Sequence, residues 1–137
     1  MRTSAKPNGL RVMLKSKIHR ATLTGKALDY EGSIALDHRL MDAADLLPGE
    51  QVHVLNVHTG SRLVTYVIEA PAGSGTVMLN GPAARLGEVG DRVVILAYGH
   101  FEDAAARRLK PRIVHVDANN VPVNRLSSRR SRKWGRL

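Results

Sequence analysis

The chain contains no cysteine. That excludes a disulfide-stapled scaffold, a thiol nucleophile and a cysteine-bound zinc. Aromatic residues make up only 4% of the sequence, so a stacking platform for single-stranded nucleic acid lacks its rings. Long hydrophobic runs are missing too. The longest, Val93 to Tyr98, is strand-sized and far short of a membrane span. Arg2 and Lys6 are not followed by an apolar block, so no secretory signal is expected and the chain reads as cytoplasmic, with no membrane partner. There is no G-x-G-x-x-G after a strand, no Walker loop, no H-E-x-x-H, no EF-hand series and no G-x-S-x-G elbow. The six histidines, His19, His38, His53, His58, His100 and His115, show no metal-ligand spacing. No metal is expected, and all but His19 read as structural or surface residues.

The 137 residues suffice for one domain with one sizeable core. A net charge of +9 points first to a nucleic-acid partner, but its distribution weakens that reading. Residues 1–12 carry Arg2, Lys6 and Arg11 and no acid; residues 125–137 carry Arg125, Arg129, Arg130, Arg132, Lys133 and Arg136 and no acid. Between them, residues 13–124 hold 12 basic and 12 acidic residues. The body is neutral and the tails are basic. Residues 1–12 are read as a flexible leader, residues 13–120 as the domain and residues 121–137 as a basic, disordered tail.

Within the domain, strands are expected at 13–24, 33–36, 51–57, 62–69, 76–79, 92–100 and 113–116, from period-two alternation or short apolar runs. His58-Thr59-Gly60-Ser61 reads as a hairpin turn. Asp37 is placed to cap a helix over 38–46 that Pro48-Gly49 ends. Asn80-Gly81-Pro82 opens a short helix that Gly87 closes, and another covers 102–108. Many short strands with a few one- or two-turn helices imply an all-β fold, a small closed barrel.

A Gly-Ser pair alone says only "turn", and the chain has three: Gly32-Ser33, Gly60-Ser61 and Gly73-Ser74. The first stands apart by its company. Lys17-Ile18-His19-Arg20 precedes it, Tyr30-Glu31-Gly32-Ser33-Ile34-Ala35-Leu36-Asp37 contains it, and Met41-Asp42-Ala43-Ala44 follows. Further on come Asn56-Val57, Gly60-Ser61-Arg62-Leu63-Val64-Thr65-Tyr66, Asn80-Gly81-Pro82-Ala83-Ala84 and Val89-Gly90-Asp91. In order and spacing these blocks resemble the pyruvoyl-dependent aspartate 1-decarboxylases, from about residue 13 to about residue 120.

The resemblance implies a double-psi β-barrel, a homotetramer with active sites between neighbouring subunits, and decarboxylation of L-aspartate to β-alanine and carbon dioxide for pantothenate and coenzyme A synthesis. It also implies a proenzyme cut between Gly32 and Ser33. The Ser33 hydroxyl attacks the Gly32 carbonyl and turns the peptide bond into an ester, a step that needs a tight turn and donors for the oxyanion. Glycine on the acyl side gives that turn its freedom. β-Elimination and loss of ammonia then leave a pyruvoyl group built from Ser33. A ketone is needed because removing an α-carboxylate leaves a carbanion that no ordinary side chain can absorb. An imine formed with the substrate amine takes up those electrons. Cleavage is either spontaneous or assisted by a maturation factor, between which the sequence does not choose.

By the same resemblance Tyr66 protonates the carbanion, and Arg62 binds a substrate carboxylate through its planar fork. Lys17 is a second candidate for the substrate's charge. Asn80, with Gly81 and Ala83 at the mouth of the helix, completes the substrate site, where free amides suit an anion. Thr65 assists cleavage by donating to the Gly32 carbonyl, and His19 and Tyr30 are auxiliary. Strict alternation puts Arg62 and Tyr66 on one strand face, about 13 Å apart. Pro82 departs from the family's usual alanine and removes one amide donor. The rival reading is a small β-barrel that binds RNA or another polyanion through its basic tails, although few aromatics and a neutral body disfavour a nucleic-acid partner.

Overall fold

The computed structural model describes residues 9–28 and 31–123. Nine strands and three short helices follow in order: β1 (Arg11–Thr22), β2 (Gly25–Ala27), β3 (Ser33–Asp37), α1 (His38–Ala44), β4 (Gln51–Asn56), β5 (Arg62–Ala70), β6 (Val77–Asn80), a 3-10 helix (Gly81–Leu86), β7 (Arg92–Phe101), α2 (Asp103–Arg108), β8 (Arg112–Val116) and β9 (Pro122–Val123). The strands form one sheet in the order β2-β6-β3-β5-β4-β7-β1-β8-β9. The fold is all-β and barrel-like, as expected. Among the described residues its closure is not made by hydrogen bonds, because β2 and β9 stand at the two ends of the order.

Three pairings are parallel: β1 with β8, β2 with β6 and β3 with β5. Parallel neighbours need crossover connections, and these carry the short helices. α1 lies between β3 and β4 and touches β1, β3, β5 and β8. Its buried residues Leu40, Met41 and Ala44 join a core that includes Ile18, Ile34, Leu36, Val52, Val54, Val67, Val77, Leu79, Val93 and Ile95. The alternation read from the sequence explains this packing best at the β4–β5 hairpin. Val52 and Val54 point in, while Arg62, Val64 and Tyr66 point out.

β3 has no polar face. All five of its residues are buried, including Ser33 and Asp37. A carboxylate cannot be buried without partners, and Asp37 has several. It accepts from the amides of Arg39 (2.8 Å), Gly73 (3.2 Å) and Gly75 (2.7 Å) and from the Arg39 guanidinium (3.2 Å). The capping role expected for Asp37 is therefore present, and the same side chain also ties the turn after β5 to the end of β3.

Several boundaries differ from expectation. β1 is longer at its start and is interrupted by a bulge between Ile18 and Ala21, where Arg20 takes a left-handed backbone (φ 62°). α1 ends earlier than Pro48, at Asp45, which adopts the left-handed capping conformation (φ 56°). β2, three residues long, has too little pattern to read from sequence. β9 pairs with β8 inside the segment read as tail. Residues 1–8 and 124–137, the bulk of the leader and the basic tail, lie outside the described residues.

Candidate active site

The N-terminal end of β3 carries the serine that the sequence marks. Ser33 is 2% exposed. Its register sets its neighbours: Ser33 pairs with Asn80 on β6, and Ile34 pairs with Val67 on β5, so Ser33 lies level with Tyr66. The Asn80 side chain turns back to this pair. Its Nδ2 donates to Ser33 Oγ at 2.9 Å. The Ser33 hydroxyl also approaches the carbonyl oxygen of Glu31 at 3.4 Å. Asn80 sits at the N-cap of the 3-10 helix without capping it through its side chain. Its Oδ1 is wholly buried and has no hydrogen-bond partner among the described residues. A buried, unsatisfied amide oxygen costs about 1–3 kcal/mol, so it marks a place where a further polar atom fits. Gly81 follows in the left-handed region (φ 63°), which releases the helix from the strand at that point.

At Gly32, the residue before Ser33, lies a cleft of about 420 Å³ lined also by Leu63, Val64, Thr65, Tyr66, Pro82, Ala83 and Leu86. The structure thus brings together Gly32, Ser33, Thr65, Tyr66, Asn80, Gly81 and Ala83 from three adjacent strands and one helix start. Thr65 faces the same cleft as Gly32 without a hydrogen bond between them. Gly32 does not use left-handed freedom in this conformation, and a Cβ there would meet Pro82 Cδ at 3.6 Å, an ordinary contact. Pro82 therefore forms a wall against the Gly32-Ser33 bond in place of a donor.

Arg62 lies outside this cleft. It is on the exposed face of β5 with Val64 and Tyr66, as the alternation predicts. Its Nη1 lies 3.1 Å from His53 Nδ1. His53 in turn meets Tyr98 edge-to-face, with ring centroids 5.1 Å apart. His53 was not singled out by sequence. The signal was the hairpin register: Arg62 opposes Leu55 and Val64 opposes His53, which puts His53 diagonal to Arg62 on one face.

Lys17 and His19 sit on β1, four strand positions from β3 in the sheet order. Within one chain they are not beside Ser33. Lys17 pairs with Leu96, which pairs with His53, which pairs with Val64. One cross-strand row therefore links Lys17 to the face that carries Arg62. Lys17 is only 7% exposed, and burial pushes its ammonium below the ordinary lysine range. His19 lines a separate cleft with Arg20, Arg92 and His115, its ring edge-to-face with His115 at 5.6 Å. Tyr30 lies outside the described residues. Among the described residues no cluster of three or more His, Asp or Glu is arranged to hold a metal ion, and no helix is long and apolar enough to cross a membrane.

Fold and site together define a small all-β, barrel-like protein with a buried serine hydroxyl, held by an asparagine, at a cleft that borders a glycyl-seryl bond. The family model for aspartate decarboxylase matches residues 10–123. A relative named aspartate 1-decarboxylase, from Thermoanaerobacter pseudethanolicus, is 52% identical over 83% of this chain and 97% of its own length. Aspartate 1-decarboxylase 1 of Gloeobacter violaceus is 58% identical over 81% of this chain and 94% of its own. Aspartate 1-decarboxylase of Dehalococcoides mccartyi is 58% identical over 79% and 87%. The chain belongs to the aspartate decarboxylase family.

Proposed function

We propose that this chain is the proenzyme of a cytoplasmic aspartate 1-decarboxylase that cuts itself between Gly32 and Ser33 and converts L-aspartate to β-alanine and carbon dioxide, a step toward pantothenate. The observation that carries the reading is the buried Ser33 hydroxyl, 2.9 Å from Asn80 Nδ2 and next to a cleft lined by Gly32, Thr65 and Tyr66. Family membership supports the substrate.

In the cleavage, a bond forms between Ser33 Oγ and the Gly32 carbonyl carbon, and the Gly32–Ser33 C–N bond breaks. An ester and a free amine result. Asn80 Nδ2 holds the hydroxyl, and Thr65, which lines the same cleft as Gly32, is the proposed donor to the oxyanion. Elimination breaks the Cβ–Oγ bond and leaves Gly32 as a carboxylate. Water then replaces the nitrogen of residue 33, and ammonia departs. The residues present fit a pyruvoyl group at position 33, since Asn80 Nδ2, the donor to Ser33 Oγ, can donate to a carbonyl oxygen there. When present, that group supplies a carbonyl able to take up the electron pair released with carbon dioxide.

The chain's own side chains do the rest. Arg62 binds a substrate carboxylate with its fork and Lys17 adds positive charge. Asn80 and the amides of Gly81 and Ala83 orient polar atoms near residue 33, and Tyr66 delivers a proton. His19 and Tyr30 are auxiliary. Because Lys17 stands strands away from Ser33 and Arg62 faces outward, we propose that a neighbouring copy in a homotetramer completes each site. The exposed Val64 (53%), Tyr66 (37%) and Tyr98 (36%) on that outward face favour such an assembly.

An intact mass spectrum under denaturing conditions tests the reading. Two chains, 1–32 and 33–137, with the larger lighter by one ammonia than its serine form, are expected. A single full-length mass from active protein would overturn it.

A further inference from the structure

The outward face of β5 and β4 holds a contact that the proposed reaction does not use. Arg62 and His53 are hydrogen-bonded at 3.1 Å between Nη1 and Nδ1. A guanidinium has only donors, so the imidazole accepts at Nδ1 and carries its proton on Nε2. The Tyr98 ring, edge-on at 5.1 Å, keeps the imidazole in that orientation. Using Nη1 for His53 leaves the Nε and Nη2 edge of the guanidinium open. That edge carries two parallel N–H groups, the pair that matches a carboxylate.

We infer that His53 is a positioning residue for carboxylate recognition: it holds the Arg62 fork so that the Nε–Nη2 edge faces the substrate. The inference rests on the proposed role of Arg62 in binding a C4 dicarboxylate, and it gives that role a mechanism. An arginine side chain has many rotamers, and ordering it on binding weakens affinity. A partner that orders it beforehand removes that cost. His53 touches Arg62 and not the reacting atoms, so it acts on binding and leaves the bond-making steps alone. The groups facing His53 are Arg62 and Val64 on β5 and Leu96 and Tyr98 on β7, with Lys17 one strand beyond Leu96.

The test uses the processed enzyme with two variants, His53→Leu and His53→Asn. Leucine removes the acceptor; asparagine offers Oδ1 near the position of Nδ1. Aspartate kinetics are measured alongside calorimetric titration with succinate, a C4 dicarboxylate without the reactive amine. For His53→Leu the expected result is a rise of about two- to tenfold in KM and in the succinate dissociation constant, the size of one lost hydrogen bond, with kcat within about twofold. For His53→Asn both constants return toward wild type, and the extent of chain cleavage is the same in all three proteins. Unchanged succinate binding in His53→Leu overturns the inference. So does a loss confined to kcat, or a loss equal in both variants. If the wild-type enzyme neither decarboxylates aspartate nor binds succinate, the underlying reading fails and the inference falls with it.

Discussion

Asp37 offers a sharp energetic test because its environment is so one-sided. Burial pushes its carboxyl up, but the Arg39 guanidinium and the amides of Arg39, Gly75 and Gly73 outweigh that and hold the pKa at about 2, below the usual 3.8. The Asp37 side chain is wholly buried while the Arg39 guanidinium is partly exposed, so solvent screens that one contact more than the three amides. Each tenfold in the ionisation constant is worth about 1.4 kcal/mol, so ionised Asp37 stabilises the fold by about 2 kcal/mol. Asp37→Asn removes the charge and turns an amide donor toward the Gly75 N–H or the Arg39 guanidinium. At pH 7 the expected loss is about 2–3 kcal/mol, or about 6–10 °C in Tm for a chain of this size. The sign of the pH dependence follows from the direction of the shift. The folded pKa lies below the unfolded one, so the stabilisation is complete above about pH 4 and is lost as pH falls toward about 2. Circular dichroism melts of both proteins in a Ser33→Ala background, where chain cutting is absent, would follow the Tm gap from pH 8 to pH 2.5. A constant gap from pH 8 to 5 that narrows by more than half between pH 4 and 2.5 is expected. No gap at pH 7, or a gap that persists undiminished at pH 2.5, would refute the reasoning.

Other expected outcomes can be checked directly. Ser33→Ala should give one uncut, inactive chain by mass spectrometry; β-alanine production from it would sink the mechanism. Asn80→Ala should slow chain cutting about tenfold in a time course on gels, the rate equivalent of one oriented hydrogen bond; cutting at the wild-type rate would remove Asn80 from that step. Arg62→Lys keeps the charge and loses the fork, so KM for aspartate should rise about tenfold or more with a smaller change in kcat. Deleting residues 125–137 should leave aspartate turnover unchanged; loss of activity together with salt-sensitive polyanion binding would favour the rival reading of the basic tail.

Much of the architecture was legible because the relevant signals are local. The alternation through Arg62, Val64 and Tyr66, the Asp37 cap and the proline near the start of the short helix each depend on a few neighbouring residues; Pro82 was expected at the first helical position and stands at the second. What was not legible depends on distant ones. The burial of Lys17 follows from β7 and β8 on either side of it, and a lysine amid alternating residues reads as solvated. Asn80 looks like a simple cap in sequence. Its side chain is instead recruited by Ser33, 47 positions away in the chain. The bulge at Arg20 has no glycine or proline to announce it, and His53 acquires its partner only when the β4–β5 register is known. The cluster around Ser33 could be named from the family resemblance, but its separation from Lys17 within one chain required the strand order.

That strand order also bears on what a cut at Gly32–Ser33 would do to the molecule. β1 is hydrogen-bonded on both sides, to β7 and to β8, and β2 to β6. Ile18, Ala21 and Leu23 sit in the core. The short chain would thus be clasped as an interior stave that cannot depart unless the whole sheet opens. Maturation would convert a unimolecular fold into a fragment complementation held without a covalent link. Folding must then precede cutting, because separated pieces would have to find each other from solution. Thermal denaturation of the mature form would depend on protein concentration and would be poorly reversible, whereas the uncut precursor would lack this added dependence on reuniting two pieces.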